Sequence, residues 1–205
     1  MLIRIAILLL FAQQSFASPE INYDKEMKKP KTTEAILAGG CFWCMEPPYE
    51  KEDGVISVTS GFSGGDKVNP SYREVAGKKT KHIEAVKIVY DPSKISYQKI
   101  IDIFWMQIDP TDIGGQFVDR GMPYQPAIFY KTNAEKKIAE ESKKKLQGSK
   151  RFKKPIVVPI VKYKNFYPAE DYHQDYYKKN PLRYKYYRYN SGRDQFLEKY
   201  WGKKK

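Results

Sequence analysis

Apolar positions recur along the chain in two rhythms, every second residue and every third or fourth. Glu34 to Ala38 reads as a short strand that Gly39-Gly40 breaks, and Cys41 opens a helix running to about Tyr49. Val55 to Ser60 alternates again as a strand. Residues 61–81 form a long loop with Gly61, Gly64, Gly65, Pro70 and Gly77, and loops of such length are usually functional or mobile. His82 to Tyr90 is a strand stopped by Asp91-Pro92. Ser96 then caps a helix whose Tyr97, Ile100, Ile101, Phe104, Trp105 and Ile108 make an apolar stripe. A second Gly-rich loop covers 109–123. Ala127 to Tyr130 is a short strand, and a charged helix follows from about Asn133 to Gln147. Ile156 to Tyr163 is the last strand, where Pro159 argues for an edge or a bulge. Beyond it the tail is rich in tyrosine and has little apolar periodicity.

The order β-α-β-β-α-β, then α-β and a tail, is that of a ferredoxin-like split βαβ core. The fold class expected is α+β, a two-layer sandwich with a long irregular C-terminal tail. The chain of 205 residues is long enough for one ordinary domain with a real core, and no repeat or internal boundary interrupts it. Residues 33–205 are therefore read as a single catalytic domain that includes the aromatic tail. Ahead of it, Arg4, the apolar run Ile5 to Ala12 and the small residues of Ser15-Phe16-Ala17 form a secretory signal peptide over residues 1–17. The run is too short to span a bilayer, which takes roughly 20 apolar residues. Residues 18–32 are polar and Lys-rich, a flexible leader. The protein is thus expected to be exported, periplasmic or secreted, with no membrane contact after cleavage. Its formal net charge is +13, but the lysines are spread rather than clustered, so a solvated basic surface is favoured over a nucleic-acid-binding one.

An exported chain with two cysteines normally suggests a structural disulfide. Cys41 and Cys44 are too close for that: the loop they would close is tiny and constrains little. With no second cysteine pair, a four-ligand zinc site is not expected either, and no metal is assigned. The spacing points to chemistry. Cys41 follows two glycines at a helix start, where free N–H groups and the helix dipole favour thiolate over thiol. Cys44, one turn on, can reach the same sulfur. Glu84 shares a strand face with Val86, Ile88 and Tyr90. If that is the core face, its neutral form is favoured and it suits a general acid. If the core instead uses Ile83, Ala85 and Val89, Glu84 faces solvent, and spacing alone does not choose.

Gly40-Cys41-Phe42-Trp43 closely resembles the signature of the A-type peptide methionine sulfoxide reductases. The similarity continues through Asn69-Pro70-Ser71-Tyr72-Arg73-Glu74-Val75, His82-Ile83-Glu84-Ala85-Val86 and Tyr90-Asp91-Pro92. It extends to Asp109-Pro110-Thr111, Asp119-Arg120-Gly121 with Tyr124, the run Ala169 to Tyr176, and Asn180-Pro181. The resemblance implies that Cys41 attacks the sulfur of a methionine sulfoxide and that Glu84 protonates its oxygen, with Tyr72 and Tyr124 as hydrogen-bonding partners. It makes Phe42 and Trp43 the wall around the substrate methyl, has Asp119 hold the substrate backbone amide, and puts His173 beside the same site. Without it, Phe42 and Trp43 read as core packing, Tyr72 and Tyr124 as loop anchors, Asp119 as an Asx-turn residue and His173 as a surface histidine.

The implied activity is thiol-dependent reduction of methionine S-sulfoxide, free or in oxidised proteins and peptides, by a monomer with no bound cofactor. An external dithiol such as a thioredoxin-like protein recycles it. Many members carry recycling cysteines in the tail, and this chain has none there. Either Cys44 resolves the Cys41 sulfenic acid or an outside thiol does so directly. Two other readings compete: a thioredoxin-like disulfide oxidoreductase, which the Cys-x-x-Cys supports, and a basic surface-binding module, which predicts salt-sensitive binding to DNA or anionic lipid.

Overall fold

The computed structural model describes residues 32–202. The signal peptide, nearly all of the leader and the last three lysines lie outside the described residues. In chain order the elements begin with β1 (Thr33–Ala38), α1 (Phe42–Glu50), β2 (Val55–Ser63), α2 (Tyr72–Ala76), β3 (Ile83–Tyr90) and α3 (Tyr97–Trp105). Then come β4 (Gly115–Gln116), β5 (Asp119–Arg120), β6 (Ala127–Tyr130), α4 (Asn133–Gly148), β7 (Ile160–Lys162) and β8 (Phe166–Pro168). Three helices close the chain: α5 (Tyr176–Lys179), α6 (Pro181–Asn190) and α7 (Arg193–Trp201).

The main sheet has the order β7-β6-β1-β3-β2-β8. Its inner four strands, β6-β1-β3-β2, pair antiparallel, which is the ferredoxin-like arrangement the element order implied. Strand β1 sits centrally because it is apolar on both faces. Leu37 packs with Val86 and Ile88 of β3 against Phe42, Met45 and Tyr49 of α1 and Ile100, Ile101 and Phe104 of α3. Its neighbours Ile36 and Ala38 face the other way, with Ala85, Ala127 and Phe129. Alternation along β3 is thereby settled: Glu84, Val86, Ile88 and Tyr90 are all buried, and Glu84 lies on the helix-covered side.

Helix starts follow their capping residues. Ser96 Oγ accepts the Lys99 N–H at 3.1 Å, and Thr132 and Glu135 form a capping box at α4. A similar box, Ser71 with Glu74, nucleates α2 inside the stretch 61–81 that reads as loop. Strand β2 runs on to Ser63, so that loop is shorter than its composition suggests. The last predicted strand shrinks to Ile160–Lys162, because Pro159 cannot donate to a ladder and the strand begins only after it. Its Pro159 carbonyl still accepts the Ile128 N–H at 3.0 Å.

The tail departs most from expectation. It is helical rather than irregular, though the α+β core is as expected. Asn180-Pro181 starts α6 with proline in its first turn, and Gly192 at φ +79° turns the chain into α7. Neither helix has a strong apolar stripe, so neither announces itself by period. They are held by aromatic contacts: Tyr176 and Tyr184 pack on Cys44, and Phe196, Tyr200 and Trp201 pack on the main core.

Gly61 tests the closure of the sheet edge. A Cβ there would lie 2.3 Å from the Tyr167 carbonyl oxygen on β8. Since that neighbour is backbone, Gly61→Ala is expected to cost about 1–3 kcal/mol, read as a lower urea midpoint with an unchanged slope.

Candidate active site

The site is built where β1 runs into α1. Gly40 takes φ +80°, which only glycine adopts cheaply, and its Cβ position lies 2.6 Å from the Gln116 side chain and 3.0 Å from a guanidinium nitrogen of Arg193. No side chain fits there, so the elbow turns sharply and sets Cys41 at the N-cap of α1. The Cys41 side chain makes no capping hydrogen bond. The first helical N–H, that of Phe42, instead donates to Glu84 Oε2 at 3.0 Å. A carboxyl from β3 thus takes the orphan donor and lies directly beside the thiol.

Helix α1 also carries Pro47 and Pro48. Pro48 has no N–H to give the Cys44 carbonyl one turn earlier. Arg188 of α6 supplies the missing donor, its Nη1 reaching Cys44 O at 3.3 Å, while its other nitrogens pair with Asp194. A break in the helix ladder is thereby mended by the tail.

Burial raises the Glu84 carboxyl well above the usual carboxylate range, with Asp119 and Cys44 adding to it and the Phe42 N–H opposing. The residue is only 1% exposed, and its burial favours the neutral form of Glu84. At Cys41 the helix start is opposed by its surroundings. Its thiol is also buried, and desolvation, the Cys44 partner and the Glu84 and Asp119 carboxyls all push it up. Cys44 is drawn down to about 6, by the hydrogen bond from Cys41 first and by Arg193 and Arg188 after it. Of the two thiols, Cys44 is thus the one whose ionisation its surroundings favour.

Aromatic side chains enclose the sulfurs. Phe42 is buried at a ring distance of 4.9 Å from His173 and 6.3 Å from Tyr72. Trp43 stacks flat on Tyr176 at 3.7 Å, meets Tyr187 edge-on, and donates its indole N–H to His173 Nδ1 at 3.1 Å. That bond leaves the His173 proton on Nε2, which is buried without a partner. Burial lowers His173 to about 4, so it is a neutral wall residue and not the surface histidine its neighbours suggested. The hydroxyls of Tyr72 and Tyr124 adjoin, and both are raised by burial and by Glu84, Tyr72 to about 12. Asp119, raised mainly by burial, accepts the Tyr187 hydroxyl.

All nine residues singled out in the sequence thus converge on one enclosure. Four more were missed: Tyr176, Tyr187, Arg188 and Arg193, all in the tail. Tyr176 ends the family-like run from Ala169, the density of tyrosine after Tyr163 was the sign of Tyr187, and nothing in the sequence marked the two arginines.

The chain matches the family model described as peptide methionine sulfoxide reductase over residues 33–205. It is 53% identical over 170 residues to "Peptide methionine sulfoxide reductase MsrA" of Bacillus licheniformis, covering 83% of this chain and 94% of that protein. Among solved structures it resembles reduced Mxr1 from Saccharomyces cerevisiae with TM-score 0.69 and 32% identity, covering 82% of this chain and 93% of that one. Mxr1 in complex with Trx2 is also similar, with TM-score 0.50 and 25% identity, over 79% and 94%.

The buried carboxyl makes a stability prediction. An acid raised in the folded state binds more protons folded than unfolded, so it withdraws stability as pH rises above its unfolded value of 4.5. Glu84→Gln keeps the acceptor for Phe42 N–H and removes the titration. Its melting temperature is expected to match the native chain near about pH 4 and to exceed it near about pH 8. Parallel melting curves across that range would refute the neutral carboxyl.

Proposed function

The chain belongs to the peptide methionine sulfoxide reductase family, and from that premise we propose how its own residues carry out the reaction. The protein is an oxidoreductase that reduces methionine S-sulfoxide to methionine in protein repair, with no bound cofactor. Glu84 is the acid. The observation that carries this is its buried carboxyl, hydrogen-bonded to Phe42 N–H beside the Cys41 sulfur.

The sulfoxide oxygen is a poor acceptor of electrons until it is protonated. Cys41 attacks the sulfoxide sulfur while Glu84 gives its proton to that oxygen and the Cys44 thiolate takes the proton of Cys41. The hydroxyl then transfers to the Cys41 sulfur, leaving methionine, a Cys41 sulfenic acid, a Glu84 carboxylate and a Cys44 thiol. Two electrons have moved from sulfur to sulfur, and the protons balance. Tyr72 and Tyr124, un-ionised at working pH, donate to the oxygen as its charge develops. Phe42 and Trp43 wall off the methyl, His173 holds Trp43, and Asp119 accepts the substrate amide once Tyr187 yields.

Cys44 then attacks the sulfenic acid, a Cys41–Cys44 disulfide forms, and water leaves with the Cys44 proton. Its place one turn from Cys41, with the Cys44 N–H already bonded to Cys41 O at 3.0 Å, supports this role. A thioredoxin-like dithiol reduces the bridge, a reading supported by the complex of yeast Mxr1 with Trx2. The pattern Arg4, Ile5 to Ala12 and Ser15-Phe16-Ala17 supports export and work outside the cytoplasm, as a monomer.

Turnover of both sulfoxide epimers with dithiothreitol tests the assignment. Cys41→Ser is expected to lose S-epimer reduction entirely, and residual turnover would end the nucleophile assignment. Glu84→Gln should lose about 10²–10⁴-fold in the chemical step. Cys44→Ser should still give one turnover but form no disulfide; mass spectrometry of a stable sulfenic acid in the native chain, without a bridge, would exclude Cys44 as the resolving thiol.

A further inference from the structure

Arg193, the first residue of α7, is 1% exposed, among the most buried large side chains of the protein. Its Nη1 donates to Gln107 O at 2.5 Å and its Nη2 to Gly39 O at 3.1 Å, while Nε is buried without a partner. The guanidinium lies over the Phe117 ring at 4.7 Å and next to the Cβ position of Gly40. Its contacts are neutral carbonyls and a ring. Arg188, its companion from the tail, is matched by Asp194, whereas the Arg193 guanidinium donates to two backbone carbonyls. A buried cation without an anion is unfavourable. The acidic groups nearest in effect are Asp119, itself bonded to Tyr187, and the sulfur pair.

We propose that Arg193 is the counter-charge of the Cys44 sulfur, a positioning residue that stabilises its thiolate while it braces the glycine elbow beneath Cys41. The C-terminal helices are then part of the reaction machinery although they carry no cysteine. The inference rests on the reading of both sulfurs as reaction partners. Other charged or titratable groups facing the pair are Glu84 from β3, Asp119 from β5, Arg188, Tyr184 and Tyr187 from α6, Tyr72 from α2 and Tyr124 from the turn after β5. The carboxyls and hydroxyls there oppose ionisation, so the two arginines are the groups that favour it. Of these, Arg188 is paired with Asp194, and Arg193 is bonded to neutral carbonyls.

The test is a pH titration of ultraviolet thiolate absorbance on the full chain, with near-ultraviolet circular dichroism as the check on folding. Arg193→Gln keeps donors for the two carbonyls and removes the charge. It is expected to raise the thiolate midpoint by at least about one pH unit, leaving roughly tenfold less thiolate at a fixed pH below it. Arg193→Lys keeps the charge and should leave the midpoint near that of the native chain. Equal shifts in both variants, or no shift in a folded Arg193→Gln, would reduce Arg193 to a brace and overturn the proposal. If the glutamine variant does not fold, a folded Arg193→Met takes its place in the titration: a raised midpoint supports the proposal, and a midpoint at the native value overturns it. The titration uses no substrate, so it can fail while the sulfoxide chemistry stands, and the sulfoxide assay can fail independently.

Discussion

The hydrogen bond from Phe42 N–H to Glu84 ties the protein together. It caps α1 from the neighbouring strand rather than from the helix's own N-cap. It therefore fixes the helix on the sheet and sets a carboxyl against the thiol at one stroke. A buried acid in this position is unfavourable when charged, and the fold makes no cation available to Glu84 directly. The protonated form is therefore favoured, and a protonated acid beside a sulfur nucleophile is the arrangement that sulfoxide reduction needs.

The same bond withdraws from Cys41 the donor that a helix start would ordinarily offer a thiolate. Cys41 is left in a dry cavity among carboxyls and tyrosines, which raise its thiol. The compensating positive charge comes from the far end of the chain and acts on Cys44. The surroundings thus treat the two sulfurs differently, opposing ionisation of Cys41 and favouring that of Cys44. Two consecutive prolines in α1 sharpen this division, because the carbonyl they leave free at Cys44 draws Arg188 to it.

The tail is a structural part of the enclosure. Tyr176 covers one face of Trp43 and Tyr187 meets its edge while bonded to Asp119. In the closed form Tyr187 occupies the carboxylate proposed to receive the substrate amide, so entry of a substrate requires that bond to exchange.

Much was legible in the sequence because its signals are local. Gly39-Gly40 before Cys41 specified an elbow, the stripe from Tyr97 to Ile108 specified α3, and the order of elements specified the split βαβ core. Motif resemblance then named nine residues that the fold brings together. Period alone could not say which face of β3 is buried, since Glu84 and Ala85 point to opposite sides and both sides are covered. That choice, the partition of charge between Cys41 and Cys44, and the helical tail with Arg193 beneath the elbow were decided only by tertiary packing. The reason is physical: burial and through-space charge act between residues as far apart as Gly39 and Arg193, and a chain read in order carries no record of such distances.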